Sequence, residues 1–447
     1  MQFIGWLDYL LLPVFLYFIY RVGVAVCDRY YPPGHPWRRF FIYGLLVKLL
    51  GAIFIGLIYQ YYYGGGDTGY YFYHAKVINS AFEESATKWL GLLLHIPQPY
   101  DGAYIDYISR LEWYSDNGSY MVCCITAVLN VFTLNTFLPT SVLFAALSFS
   151  GVWAMFRTFA RQYPNLQRQI AIAVLFIPSC FIWGSGIFKD TVCMFALGWM
   201  LYLSFQLLIE RNLSLLKILF LILCFYILLV VKVYILISFL PAVGLWIVFY
   251  YSHMIRQAVL RFFVKVIVIT GSAAAFVAVY SYYSESLGKY SLDNIAKTSL
   301  VTRDWISYSS GEQGSAYDLG DFEPSMTGLL SKFPQAVNVT LFRPYIWEAN
   351  KSLVFLNALE ALGFLFITLR ILFLFGPVRI WRTISSDPNI QFCLIFSIMF
   401  AFSVGISTYN FGALSRYKIP CLPPYLLAMV FIYYRNRPAE RKFMGLF

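Results

Sequence analysis

Apolar residues are gathered along this chain into runs of about twenty, the length at which a helix spans the hydrocarbon of a bilayer. Such runs lie near 6–26, 40–61, 137–158, 169–186, 190–209, 215–233, 234–251, 264–283, 353–375, 390–408 and 419–434, and a shorter one at 120–134 is a candidate twelfth. Runs this long can cross only as helices, because each backbone polar group must find its partner inside its own segment. The pattern therefore predicts an all-α, polytopic integral membrane protein with about 11–12 transmembrane helices, forming a single transmembrane domain over 1–447. The first run lacks a basic start and a small-residue cleavage site, so it is expected to be a real span.

The polar breaks set the expected orientation. Arg29, Arg38 and Arg39 flank one short loop, and Arg157, Arg161 and Arg168 flank another. Arg211 with Lys217, then Arg256, Arg261 and Lys265, then Arg379 and Arg382, and finally the tail, mark the rest. Placing these cations in the cytoplasm puts the amino terminus and two long loops, 62–119 and 284–352, on the extracytoplasmic side. Pieces at 70–86 and 88–95 of the first loop are amphipathic enough to lie in the interface. One parity conflict arises: a single crossing fits between 119 and 159, yet 120–158 reads as two helices broken at Asn135–Pro139. A re-entrant 120–134 would resolve it.

Composition sharpens this picture. Of 447 residues, 60% are hydrophobic, 20% aromatic and only 12% charged, with mean hydropathy +0.66. Soluble chains carry about 25% charged residues, so a disordered chain, a coiled coil and a nucleic-acid-binding domain are all excluded. The net charge of +11 then reflects loop location. Eight cysteines lie in or beside apolar runs without metal-ligand spacing and read as small buried hydrophobes.

Candidate chemistry sits in the outer loops. After Tyr59-Gln60-Tyr61-Tyr62-Tyr63, the run Gly64-Gly65-Gly66 lets the chain turn sharply and sets Asp67 at the membrane surface, as a helix N-cap or as a general base. Tyr70 follows as an aromatic face for a sugar, and His74 is close enough in sequence to share the site. Lys189 and Asp190 occupy the junction after Pro178–Gly186, either as a mutual pair in a turn or as a phosphate-holding cation and a hydroxyl-orienting acid. Lys232, inside an apolar run, either snorkels or points into a cavity, and Glu360 faces the same choice. Lys48, mid-run, is expected to snorkel. Arg343 offers a bidentate fork for phosphate, near Trp347 as a stacking ring and Glu348. Arg416, Tyr417 and Lys418 put two cations in a short outer loop, where cations are disfavoured unless they bind something.

With these motifs the chain resembles the GT-C superfamily of polytopic glycosyltransferases and the related bacterial polysaccharide polymerases. The resemblance is carried by the early span leading into a loop that opens with Asp67, by Pro178 through Asp190, and by Arg416-Tyr417-Lys418. It implies a catalytic Asp67, with Asp190 as a second acid, and a polyprenyl-phosphate-linked sugar as donor. Lys189, Lys232, Arg343, Glu348, Arg416, Tyr417 and Lys418 would bind substrate or its phosphate, and Tyr70 and Trp347 would stack on sugar. Asp67 is followed by Thr68-Gly69 rather than a second acid, so no cofactor is fixed, and a divalent metal (Mg or Mn) is left open. The expected partners are a lipid-linked sugar donor, a glycan acceptor, membrane lipids and other members of a polysaccharide assembly system. The expected place is the cytoplasmic (inner) membrane. A lipid-linked oligosaccharide transporter or flippase, or a glycan ligase, is the alternative.

Overall fold

The computed structural model describes residues 2–252, 315–323 and 325–437, together with isolated positions between 257 and 308. The span expected at 264–283 and loop residues 284–314 lie largely outside them. Among the described residues every regular element is a helix, apart from one isolated bridge between Ala316 and Asn410. Seven of these helices are long and apolar enough to cross a membrane: Trp6–Tyr30, Arg38–Tyr62, Phe137–Gln162, Lys189–Ile209, Val233–Ser252, Ser352–Ser386 and Pro388–Thr408. The chain is an all-helical, multi-pass membrane protein. It divides into two compact units, residues 1–207 with 212–233 and residues 208–211 with 234–447.

In the first unit, α1 (Trp6–Tyr30) and α2 (Arg38–Leu57, continued by a π turn to Tyr62) are antiparallel. Gln60 near the end of α2 accepts from Phe3 and Ile4 ahead of α1. At the other end, Tyr31 packs against Trp37 and Phe41. Helix α7 (Phe137–Gln162) runs parallel to α1, because Asp8 accepts from the Leu138 amide at 2.8 Å while Trp153 Nε1 donates to Tyr31 Oη at 2.9 Å. Helix α10 (Lys189–Ser204) runs alongside α7 in the same direction. Their backbones meet at Gly151 and Gly198, where a Cβ on Gly198 would lie 1.9 Å from the Gly151 carbonyl oxygen. Arg157 closes the far end over the Tyr202 ring at 4.1 Å. One end of the unit thus carries Asp8, Gln60, Leu138 and Lys189, and the opposite end carries Arg29, Arg38, Arg39, Arg157 and Arg161.

The expected first loop is helical. It contains α3 (Asp67–Glu84), α4 (Ala86–Leu93), the single turn α5 (Ile105–Ile108) and α6 (Asn117–Phe132). Asp116, which caps α6, pairs with Lys189 at the start of α10, and Thr133 just past α6 bonds Thr140 in the first turn of α7. Both ends of α6 lie at the same end of the unit, so α6 makes no crossing and the parity conflict disappears. The break that follows it is real, with Leu134 and Asn135 both at positive φ.

The run at 169–186 crosses as a broken helix, α8 (Gln167–Leu175) and α9 (Pro178–Trp183), where one continuous span was expected. Pro178 supplies no amide and holds Ile177 extended, which ends α8. The segment follows α2 along its length: Leu175 lies beside Gly44, the Phe181 carbonyl against Gly51, and Gly186 against Ile55. A helix as short as α9 at this depth also leaves carbonyls at its C-terminal end, around Gly184, without helical partners. Lys48 supplies them. It is 2% exposed, and its Nζ donates to the Gly184 carbonyl at 2.6 Å, the Cys180 carbonyl at 3.1 Å and the Ser148 hydroxyl at 3.2 Å. The snorkelling expected of Lys48 is corrected, because three acceptors inside the bundle replace the water it would otherwise seek.

Helix α11 (Leu215–Val231) then returns to the Lys189 end, with Lys217 donating to Gln206 at its start and the Val230 and Val231 carbonyls against Gly118 at its finish. Its 17 residues span roughly 26 Å at 1.5 Å per residue. Lys232 ends it, and α12 (Val233–Ser252) follows.

The second unit packs the helix Phe333–Phe342 against Pro388–Thr408, with the Thr340 hydroxyl donating to the Ala401 carbonyl. The helix Ser352–Ser386 outruns the expected 353–375 by continuing past a kink at Gly376 (φ 71) and Pro377. The last apolar run, expected at 419–434, forms the helix Leu422–Asn436. All eight cysteines are free and seven are buried, as read from the sequence.

Removing the ammonium that serves the α9 carbonyls is expected to cost about 1–3 kcal/mol, the penalty for stranding buried acceptors. Lys48→Met should therefore lower the thermal unfolding midpoint in detergent. An unchanged midpoint would show that the carbonyls find other donors.

Candidate active site

At the end of α2 the helix widens into a π turn, and Gly64, Gly65 and Gly66 follow at φ of 69°, 143° and 128°. Side chains other than glycine rarely adopt these values. A Cβ on Gly66 would also sit 2.8 Å from the Tyr59 ring. The chain reverses there directly into α3. Gly66 is the N-cap, so Asp67 takes the first helical position and not the capping position foreseen for it. The turn encloses an open cleft of about 530 Å³ lined by Tyr59, Tyr63, the three glycines, Asp67 and Tyr70. One carboxylate and three phenol rings therefore share a water-accessible space. The Tyr59 wall packs on Phe188 at 5.3 Å between ring centroids, and Phe188 is the residue before Lys189.

Lys189 and Asp190 do not pair with each other, which corrects the mutual turn pair. Lys189 Nζ lies 3.1 Å from Asp116, and Asp190 Oδ1 lies 2.5 Å from Lys232 Nζ. Neighbouring residues at a helix start point in different directions, so each reaches a different helix: Lys189 the N-cap of α6, Asp190 the end of α11. The second pair is buried, with side-chain exposures of 1% and 7%. Lys232 thus neither snorkels nor faces an open cavity. The first pair is half-open. Burial alone would raise the Asp116 carboxyl, but the Ser119 hydroxyl and the Lys189 ammonium outweigh it and hold the group below its ordinary value. Gly118 lets the start of α6 approach, since a Cβ there would lie 3.3 Å from Lys189 Nζ.

His74 lies one turn beyond Tyr70 and is fully buried. Its ring meets Trp113 edge-on at 5.2 Å, and its Nδ1 faces Cys123 Sγ at 3.8 Å. It backs the cleft wall without lining it.

The second unit gathers the remaining candidates. Residues 315–317 pair with 409–411, where Tyr317 donates to the Tyr409 carbonyl and Phe411 to that of Ser315. Asn410 then caps the short helix Phe411–Tyr417. Arg343 closes a two-pronged ion pair on Glu348 and lies 5.3 Å over the Phe411 ring. Glu348 also accepts from the Tyr345 amide at 2.7 Å. The Arg343 fork expected for phosphate is therefore filled by a carboxylate. Lys418 is buried, its Nζ 3.4 Å from the Arg343 carbonyl. Arg416 is half-buried and donates to Tyr417 Oη at 3.1 Å. Trp347 is 80% exposed and stacks on Tyr345 at 5.0 Å, the arrangement of an available aromatic face.

No family model, no curated protein and no solved structure matches this chain. Among the described residues no three His, Cys, Asp or Glu side chains come together to hold a metal. Asp67 is also the one carboxylate, among the described residues, lining its cleft, and this lining does not fit a divalent ion.

Sequence reasoning missed Asp116, although an acid directly before an apolar run is a recognisable signal. Lys48 was visible but assigned to the wrong environment.

Two outcomes are expected. Lys232→Met removes the ammonium from a buried carboxylate and should cost about 3–5 kcal/mol, most of it recovered in Lys232→Met combined with Asp190→Leu; unfolding in detergent measures both. For pH, burial holds His74 down to about 4, against about 6.5 in an unfolded chain. Between those values the unfolded state binds the extra proton, so stability should fall as pH drops from about 6.5 to about 4 and then level off. His74→Phe should flatten that slope.

Proposed function

We propose that this protein is a membrane glycosyltransferase. It acts on a polyprenyl-phosphate-linked sugar or oligosaccharide at the extracytoplasmic face of the cytoplasmic membrane, as a polymerase or transferase in surface-polysaccharide assembly. The observation that carries the reading is the cleft in which Asp67 shares an open space with Tyr59, Tyr63 and Tyr70. Phenol rings offer flat apolar faces with polar rims, which suits sugar recognition. The positive-inside tendency supports the orientation, since the arginines gather at the opposite end of the first unit.

In this reading Asp67 takes the proton from an acceptor hydroxyl as its oxygen attacks the anomeric carbon. The bond from that carbon to the donor phosphate oxygen breaks, and the phosphate leaves with the electron pair. One base and a stabilised leaving group suffice for such an inverting transfer. Lys189, half-open and joined to the cleft wall through Phe188 and Tyr59, is the cation assigned to the leaving phosphate. Asp190 and Lys232 act as positioning residues that fix the start of α10. The resemblance to the GT-C superfamily agrees with this division of labour.

A specific observation also favours the transporter alternative. The broken crossing α8–α9, with a buried ammonium at the end of its second piece, is the kind of discontinuous helix found in transporters.

One experiment separates the two. A deletion strain is complemented with wild type or Asp67→Asn, after both are shown to reach the membrane equally. Loss of a general base should cost about 10²–10⁴ in rate, so the mutant should accumulate polyprenyl-linked precursor on the outer face. Accumulation on the cytoplasmic face would support the transporter. Full restoration of the glycan by Asp67→Asn would overturn the enzyme reading.

A further inference from the structure

At the end of the first unit opposite Asp67, the chain between α1 and α2 forms a second cavity of about 500 Å³. It is lined by Gly34, His35, Pro36, Arg38, Arg39, Ile42 and Tyr43. Two arginines and a histidine thus contribute to one lining. Arg38 is anchored by Asp28 at 2.6 Å and by the Tyr31 carbonyl, which fixes its direction. Arg39 is exposed, its guanidinium 4.8 Å over the Phe40 ring, and among the described residues no carboxylate pairs with it. His35 Nδ1 accepts from the Trp37 amide, which leaves Nε2 to carry the proton of the neutral ring as a donor. Among the described residues the lining thus offers donors and no carboxylate, with Arg38 already balanced by Asp28 and the net positive charge carried by Arg39.

Its surroundings are those of a lipid. Tyr30 and Tyr43 are both 60% exposed beside it, as aromatics are at the level of headgroups. Below them α1 and α2 expose Val22, Val26, Leu46 and Leu50, apolar surface along which acyl chains can lie. A soluble anion would have no use for that surface.

We propose that this cavity binds the phosphate of an anionic phospholipid, with Arg39 and Arg38 holding the phosphate oxygens, His35 donating to the headgroup and the acyl chains lying along α1 and α2. The site is separate from the Asp67 cleft and independent of the activity proposed for it.

The test is lipid retention by the full-length protein, purified from mixed vesicles of phosphatidylglycerol and phosphatidylcholine and weighed by native mass spectrometry. Wild type should retain phosphatidylglycerol selectively. Arg39→Gln should lose about fivefold of that retention, the effect of one basic residue at an anionic surface. Arg39 is exposed, so the variant should unfold at the wild-type temperature. Arg168→Gln removes an exposed cation at the same end, outside the cavity, and should leave retention unchanged. Equal loss in both variants would reduce the effect to general surface charge and overturn the site. Displacement of the lipid by millimolar inorganic phosphate would overturn the lipid assignment in favour of a soluble anion. Unchanged retention in Arg39→Gln would overturn the proposal outright.

Discussion

Inside a bilayer no water is on hand to repair an interrupted helix, and much of the first unit is arranged around that constraint. The chain breaks a crossing at Pro178, and a lysine from a different helix serves the carbonyls at the end of the short second piece. Lys48 serves the Cys180 and Gly184 carbonyls, and close packing supports the same contact, because Gly44 and Gly51 let the broken segment lie directly on α2. The following turn is then fixed, and it places Phe188, Lys189 and Asp190 at the end of the bundle. From there Phe188 braces Tyr59, Lys189 reaches Asp116 and Asp190 reaches Lys232. The geometry of the Asp67 cleft is thus tied through Tyr59 to a satisfied defect in the membrane interior.

Charge in this molecule falls into two kinds. Asp190 with Lys232, and Lys48 with its carbonyls, are buried and saturated, and they act on neighbouring helices by fixing their ends. Asp67, Arg39 and Lys189 border open space, where a ligand can reach them. Sequence position does not separate the two kinds, since Lys189 and Asp190 are adjacent in the chain and belong one to each. Helix geometry separates them, by rotating successive side chains by about 100°.

The span pattern was legible because long apolar runs admit one structure. The Gly64–Gly66 turn, the break before Pro139 and the grouping of arginines at one end could likewise be read from residue type alone. Other features depend on partners far away in the chain. Nothing near Lys232 announces Asp190, 42 residues earlier, and nothing near Lys48 announces a helix break. Arg343 looked like a phosphate fork because its own partner, Glu348, was read as a ligand residue too. Runs such as 169–186 misled by their apolarity, which reports burial in lipid or protein but not the continuity of the helix.

The Lys48 contact also carries a consequence for the order in which the protein is made. The lysine leaves the ribosome with α2, but its carbonyl acceptors lie 132 and 136 residues further along the chain. During that interval the ammonium has no partner on α9, so α2 must be kept where water or the insertion machinery can attend to it. The contact that holds the end of this broken crossing therefore joins residues far apart in the chain and can form only once α9 has been made.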